Sequence, residues 1–166
     1  WIALSAIQGD INLDGLILSG SAKIDTFSLF IQSNLVNLIF NLKGKYHESL
    51  LIHQLTMQKF NSFFKPNTTP NDWISSDRKS VEQYTKDSLC GFVVTISLWK
   101  DLVQGLKQIF LKDRYKNVNT NLPIYVISGD RDPVGANGKL GKNLFIFLSS
   151  IFKHVSFDLI SNARRS

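Results

Sequence analysis

The residues with most scope for chemistry lie in one turn, Gly129-Asp130-Arg131-Asp132-Pro133-Val134-Gly135. It follows a short apolar run, Pro123-Ile124-Tyr125-Val126-Ile127-Ser128, that reads as a buried strand. A carboxylate in a turn at the carboxyl end of a parallel strand lies where open α/β sheets place their ligands. Asp132 could there orient an imidazole and stabilise its charged form, which is the task of the acid in a Ser-His-Asp triad. Asp130, Asp132, Pro133 and Gly135 also suit a plain turn, so both readings stand at this level.

The remaining reactive side chains are less well placed. His154 precedes the last strand, whereas Asp132 follows its neighbour, so a parallel sheet separates them by about 15–20 Å at ~3.3 Å per residue. His47 and His53 fall in the helical middle of the chain and read as surface or packing residues. Cys90 has no histidine in a plausible arrangement with it and reads as a small buried apolar residue. Gly135, Gly138, Lys139, Gly141 and Lys142 fit neither the dinucleotide fingerprint nor the P-loop spacing. No Gly-x-Ser-x-Gly elbow occurs in the 166 residues.

The elements that must position these groups follow from periodicity. Leu13-Asp14-Gly15-Leu16-Ile17-Leu18-Ser19-Gly20 reads as a first strand buried on both faces. Val155, Phe157 and Leu159 alternate with polar residues as a third, half-buried strand, and Leu140, Leu144, Phe147, Leu148 and Ile151 form the helical stripe before it. Strand, helix, strand in that order implies parallel pairing with a right-handed crossover. Trp1 to Ile7 reads as the end of a buried helix stopped by Gly9 in a left-handed conformation. Three strands leave the first one open along an edge, so further strands are expected before Trp1.

Between the first two strands lies a block of about a hundred residues, far too long for an ordinary connection. Asp25 and Thr26 can cap a helix with an apolar face of Phe27, Ile31, Leu35, Leu38 and Leu42. A second helix runs over Leu51, Leu55 and Met57 towards Phe60; Pro66 and Pro70 then break the chain. A short helix around Val81 to Thr85 and a long amphipathic one through Trp99, Leu102, Val103, Leu106, Ile109 and Phe110 complete the block.

Composition narrows the function classes. The chain is 43% hydrophobic and 19% charged, as one globular domain would be. A single cysteine excludes an internal disulfide framework, and no Cys/His cluster has metal spacing. Nineteen Lys+Arg against thirteen Asp+Glu give +6, but the basic residues are scattered, which argues for a solvated surface and against nucleic acid. No stretch reaches the ~18 apolar residues of a spanning helix. A reducing, cytoplasmic setting is the expectation.

Three stretches together resemble one family: Leu13 to Ala22; Asp72-Trp73-Ile74-Ser75-Ser76-Asp77 with Tyr84 and Asp87-Ser88-Leu89-Cys90-Gly91-Phe92; and Leu122 to Gly135. They look like the α/β-hydrolase fold with its cap, and more narrowly like the lysophospholipase and monoacylglycerol-lipase-like serine hydrolases (serine aminopeptidase S33-like). The resemblance implies an α/β class, a partial α/β-hydrolase fold made of the last parallel strands plus a large helical cap. It implies hydrolase core in residues 1–23 and 116–166 and the cap in 24–115. It makes Asp132 the triad acid, with the nucleophile elbow expected before Trp1. Where the family keeps its histidine, Ser161-Asn162-Ala163-Arg164 runs on to Arg165 and Ser166, and a guanidinium cannot act as general base.

The reading implied is the C-terminal part of a carboxylic-ester hydrolase, inactive as given for want of a nucleophile and a histidine. Its substrate class is a small lipid ester, it needs no cofactor or metal, and its cap leaves room for peripheral membrane contact. A non-catalytic binding or scaffold module that has kept the cap is the alternative.

Overall fold

β2 (Ile124–Gly129) is the centre of a three-stranded parallel sheet in the order β1-β2-β3. This is a computed structural model, and it describes residues 2–9 and 11–164. β1 (Leu16–Ser19) pairs with β2 from Leu16 opposite Ile124 to Ser19 opposite Ile127. β3 (Val155–Ile160) pairs along the other edge, from Val155 opposite Ile124 to Ile160 opposite Gly129. The expected parallel sense holds. α7 (Lys139–Ser149) makes the β2-to-β3 crossover, and its Leu144, Phe147 and Leu148 are buried as the stripe required.

The burial of the strands differs from the reading at β1 and at the end of β3, where Leu159 of the expected inner face is exposed. β2 is buried along most of its length, but on β1 only Leu18 is buried and Ile17 is 68% exposed. A continuous apolar run shows that both faces could be buried, not that both are. α1 (Ile2–Ile7) buries Leu4 and Ile7 against the sheet, in one cluster with Leu18, Val126, Leu144 and Leu148. Gly9 is not left-handed: its N–H donates to the Ala6 carbonyl at 3.2 Å in a tightened last turn.

Between β1 and β2 the chain is helical. α2 (Thr26–Lys43) starts where the Asp25 carboxylate accepts the Ser28 N–H at 2.9 Å. α3 (Leu50–His53) passes through a π-helical stretch, Gln54–Gln58, into α4 (Lys59–Ser62), so the second predicted helix is one run with a bulged middle. α5 (Arg78–Lys86) and α6 (Ile96–Ile109) follow, the first capped by Asp77. Leu29, Val36, Ile52, Ile96 and Val103 form a second cluster, separate from the sheet's. Ile109 and Tyr115, at the end of the block, belong instead to the sheet cluster.

The face of α2 is a correction. Leu29, Ser33 and Val36 are buried, whereas Phe27, Ile31, Leu38 and Leu42 of the predicted face are exposed. α2 is apolar on nearly all sides, so periodicity does not choose its inner stripe. Packing on α6 chooses it: the small Ser33 lets α6 approach, and Lys107 Nζ donates to Ser33 Oγ at 2.6 Å.

Candidate active site

The turn after β2 is wound tightly around Asp132, which is 1% exposed. The Val134 N–H donates to Asp132 Oδ1 at 2.9 Å, and the Asn137 N–H donates to the Asp132 carbonyl at 2.8 Å. Ala136, Asn137 and Gly138 then take three successive left-handed conformations before α7 begins. Asp132 Oδ2 is buried and has no hydrogen-bond partner among the described residues. A buried acceptor left open is costly and calls for an explanation; a missing donor is the simplest. Gly135 keeps the space beside it, since a Cβ there would stand 3.0 Å from Oδ2. Among the described residues Asp130 Oδ1 and Ser128 Oγ are also buried without a partner, so the carboxyl end of β2 gathers three such groups there.

The segment leaving β3 runs beside this turn. The Asp130 N–H donates to the Ile160 carbonyl at 3.0 Å and the Arg131 N–H to the Ala163 carbonyl at 2.9 Å. Asn162 turns the chain there with a left-handed φ of 59°. The position where the resemblance puts a histidine, Arg165, lies outside the described residues, so the expected pairing of Arg165 with Asp132 does too.

Arg164 links this edge to the helical block. Its Nη1 donates to the carbonyls of Asp72 and, at 2.9 Å, of Ser75, and its guanidinium carbon lies 4.2 Å from the Phe64 ring centroid. The loop it grips is organised by Asp72, which takes the Thr68 N–H at 2.7 Å, the Thr69 N–H at 3.1 Å and both threonine hydroxyls. Burial pushes the Asp72 carboxyl up, but those hydrogen bonds together outweigh it and hold the group below the usual carboxylate range. A cavity of about 300 Å³ opens at this junction, lined by Phe64, Thr68, Asp72, Ser75, Arg78 and Arg164 among others.

A depressed carboxyl adds stability above its unfolded pKa and loses it as pH falls through the lower folded value. The Thr68–Asp72 loop should therefore survive acidification to about pH 4, the unfolded carboxylate value, and open only below it. Asp72→Ala should cost about 2–3 kcal/mol at neutral pH, as buried charged hydrogen bonds do; urea unfolding at pH 7 and pH 3 measures both. Equal destabilisation by the variant at the two pH values would remove the carboxylate from the argument.

The other candidates are not at this edge. His154 lies before β3, and its carbonyl accepts the Ile124 N–H at 2.8 Å, at the amino end of the sheet. His47 and His53 are in the helical block. Cys90 is half-buried and not the buried residue expected; desolvation, then the neighbouring Asp87, raise its thiol pKa. Among the described residues no group of His, Cys, Asp and Glu could hold a metal. Sequence reasoning missed the roles of Gly129, Ser128 and Arg164. The last had a signal: it stands directly before Arg165, the position where the resemblance puts a histidine.

A family model described as serine aminopeptidase, S33, matches residues 1–156. The chain belongs to that family. A thermostable carboxyl esterase from Bacillus coagulans, solved in complex with glycerol, is 25% identical with a TM-score of 0.81; the match covers 99% of this chain and 54% of the esterase. The monoacylglycerol lipase of Paleococcus ferrophilus shares the fold at 14% identity and a TM-score of 0.61, over 98% of this chain and 55% of the lipase. A soluble variant of the Saccharomyces cerevisiae monoglyceride lipase, solved with a substrate analogue, does so at 14% and 0.63, over 99% and 53%. The S33 chain thus spans about half the length of these structures, and its three parallel strands with their helices are part of an α/β-hydrolase fold. No curated protein matches it. No helix among its described residues is long and apolar enough to cross a membrane.

Proposed function

We propose that this S33 chain is the C-terminal portion of a carboxylic-ester hydrolase of the lysophospholipase or monoacylglycerol lipase kind, with Asp132 as the acid that orients the catalytic imidazole. Residues 24–115 form its cap, and 1–23 and 116–166 its share of the hydrolase core. The observation that carries this is the Asp132 carboxylate: one oxygen is fixed by the Val134 N–H, the other is buried with no partner among the described residues, and the segment leaving β3 passes alongside. That is the arrangement an orienting acid needs, with rotation locked on one side and an acceptor kept for an Nδ1–H on the other. In the complete site a serine attacks the ester carbonyl, the histidine takes and returns its proton, and Asp132 stabilises the imidazolium. The exposed stripe Phe27, Ile31, Leu38 and Leu42 supports peripheral lipid contact through the cap; vesicle flotation that leaves the chain unbound would remove that part.

These 166 residues contain no elbow serine, so the chain alone should not turn over an activated short-chain ester. Asp132→Ala and Arg165→His should be equally silent, since neither supplies a nucleophile. Turnover above background that Asp132→Ala abolishes would show a nucleophile within this chain and overturn the assignment of roles.

A further inference from the structure

We propose that Arg164 is a latch, a positioning residue whose guanidinium fixes the Phe64–Ser76 segment of the helical block to the carboxyl edge of the sheet. It joins two segments that are 89 and 92 residues away in sequence at their contact points. One nitrogen, Nη1, serves two carbonyls, Asp72 and Ser75, while the guanidinium carbon of the same group lies over the Phe64 ring. A guanidinium makes both contacts with one rigid planar group, whereas an ammonium is a point charge on a flexible stem.

Both ends of the latch are anchored. On the helical side the receptor is preformed: Asp72 holds the Thr68 and Thr69 amides, and the Trp73 N–H donates to Asn61 Oδ1 at 3.2 Å. On the sheet side the Ala163 carbonyl is held by the Arg131 N–H, in the turn that carries Asp132. A single residue therefore separates the loop from the Asp132 turn. Displacement of the 64–76 segment must pull on Arg164 and be felt beside Asp132. The cavity of about 300 Å³ is walled by Phe64, Ser75, Arg78 and Arg164, so whatever fills or empties it acts on the latch directly. That the latched edge is where ester chemistry happens rests on the proposed function; the latch itself does not.

Amide hydrogen exchange on the full 166-residue chain tests it. Loss of a charged donor to two carbonyls raises local opening about tenfold, so Arg164→Ala should speed exchange at residues 68–76 by that factor, with the β2 amides 124–128 unchanged. Arg164→Lys should recover only a small part of the protection, and millimolar ethylguanidinium should restore it in Arg164→Ala. The proposal is overturned by unchanged exchange at 68–76, by full protection in Arg164→Lys, or by equal acceleration at β2. If Arg164→Ala does not fold, the Arg164→Lys comparison decides alone in the same way. No arm reads ester turnover, so failure of the functional reading and failure of the latch are separate results.

Discussion

Gly129→Ala should destabilise the chain by about 3 kcal/mol or more, the upper part of the range for forcing atoms into a packed site. A Cβ at 129 would run into the carbonyl oxygens of Ala163 and Arg164, well inside contact distance, and stand 2.8 Å from the Ala163 carbonyl carbon. The obstacles are backbone atoms, and the Ala163 carbonyl is already held by the Arg131 N–H at 2.9 Å, so no side chain can swing away. Gly129 has no left-handed φ, so space and not conformational freedom requires the glycine. Gly44 is the matched control, because its φ is +83° and nothing lies near its Cβ position. Gly44→Ala should lose only about 1–2 kcal/mol, within the range for a residue held at φ 83°, ψ 165°, a region that glycine alone adopts readily. Urea midpoints of the two variants make the comparison; a Gly129→Ala cost no larger than that of Gly44→Ala would mean that the segment leaving β3 does not press on the turn.

The parallel sheet and its order were legible because buried strands announce themselves as short apolar runs and a helix between them fixes the hand of the crossover. The acidic turn was legible for the same reason, since Asp132 follows β2 by three residues. What periodicity could not decide was orientation where a segment is apolar throughout. α2 has two usable stripes, and Ser33, a polar residue, marks the buried one because it admits α6. β1 reads as doubly buried although Ile17 is 68% exposed, because burial depends on what lies alongside and not on the strand itself. The latch was invisible for a related reason. Arg164 acts on backbone carbonyls 89 and 92 residues away, and carbonyls carry no sequence signature.

Completion of the site tests the central claim, that Asp132 is the orienting acid. Joined behind an upstream segment that supplies a Gly-x-Ser-x-Gly elbow, the chain carrying Arg165→His would hold a serine, a histidine and Asp132. It should hydrolyse an activated ester. In that fusion Asp132→Asn keeps the shape but presents the wrong hydrogen-bonding partner to the imidazole, and kcat should fall by about 10³–10⁴-fold, as it does when a triad acid becomes an amide. Asp130→Asn, two residues before Asp132 and with its own buried oxygen unpartnered among the described residues, is the control and should stay within about tenfold of the parent on the same scale. A fusion that turns over ester equally well with Asp132→Asn, or that depends on Asp130 instead, contradicts the account.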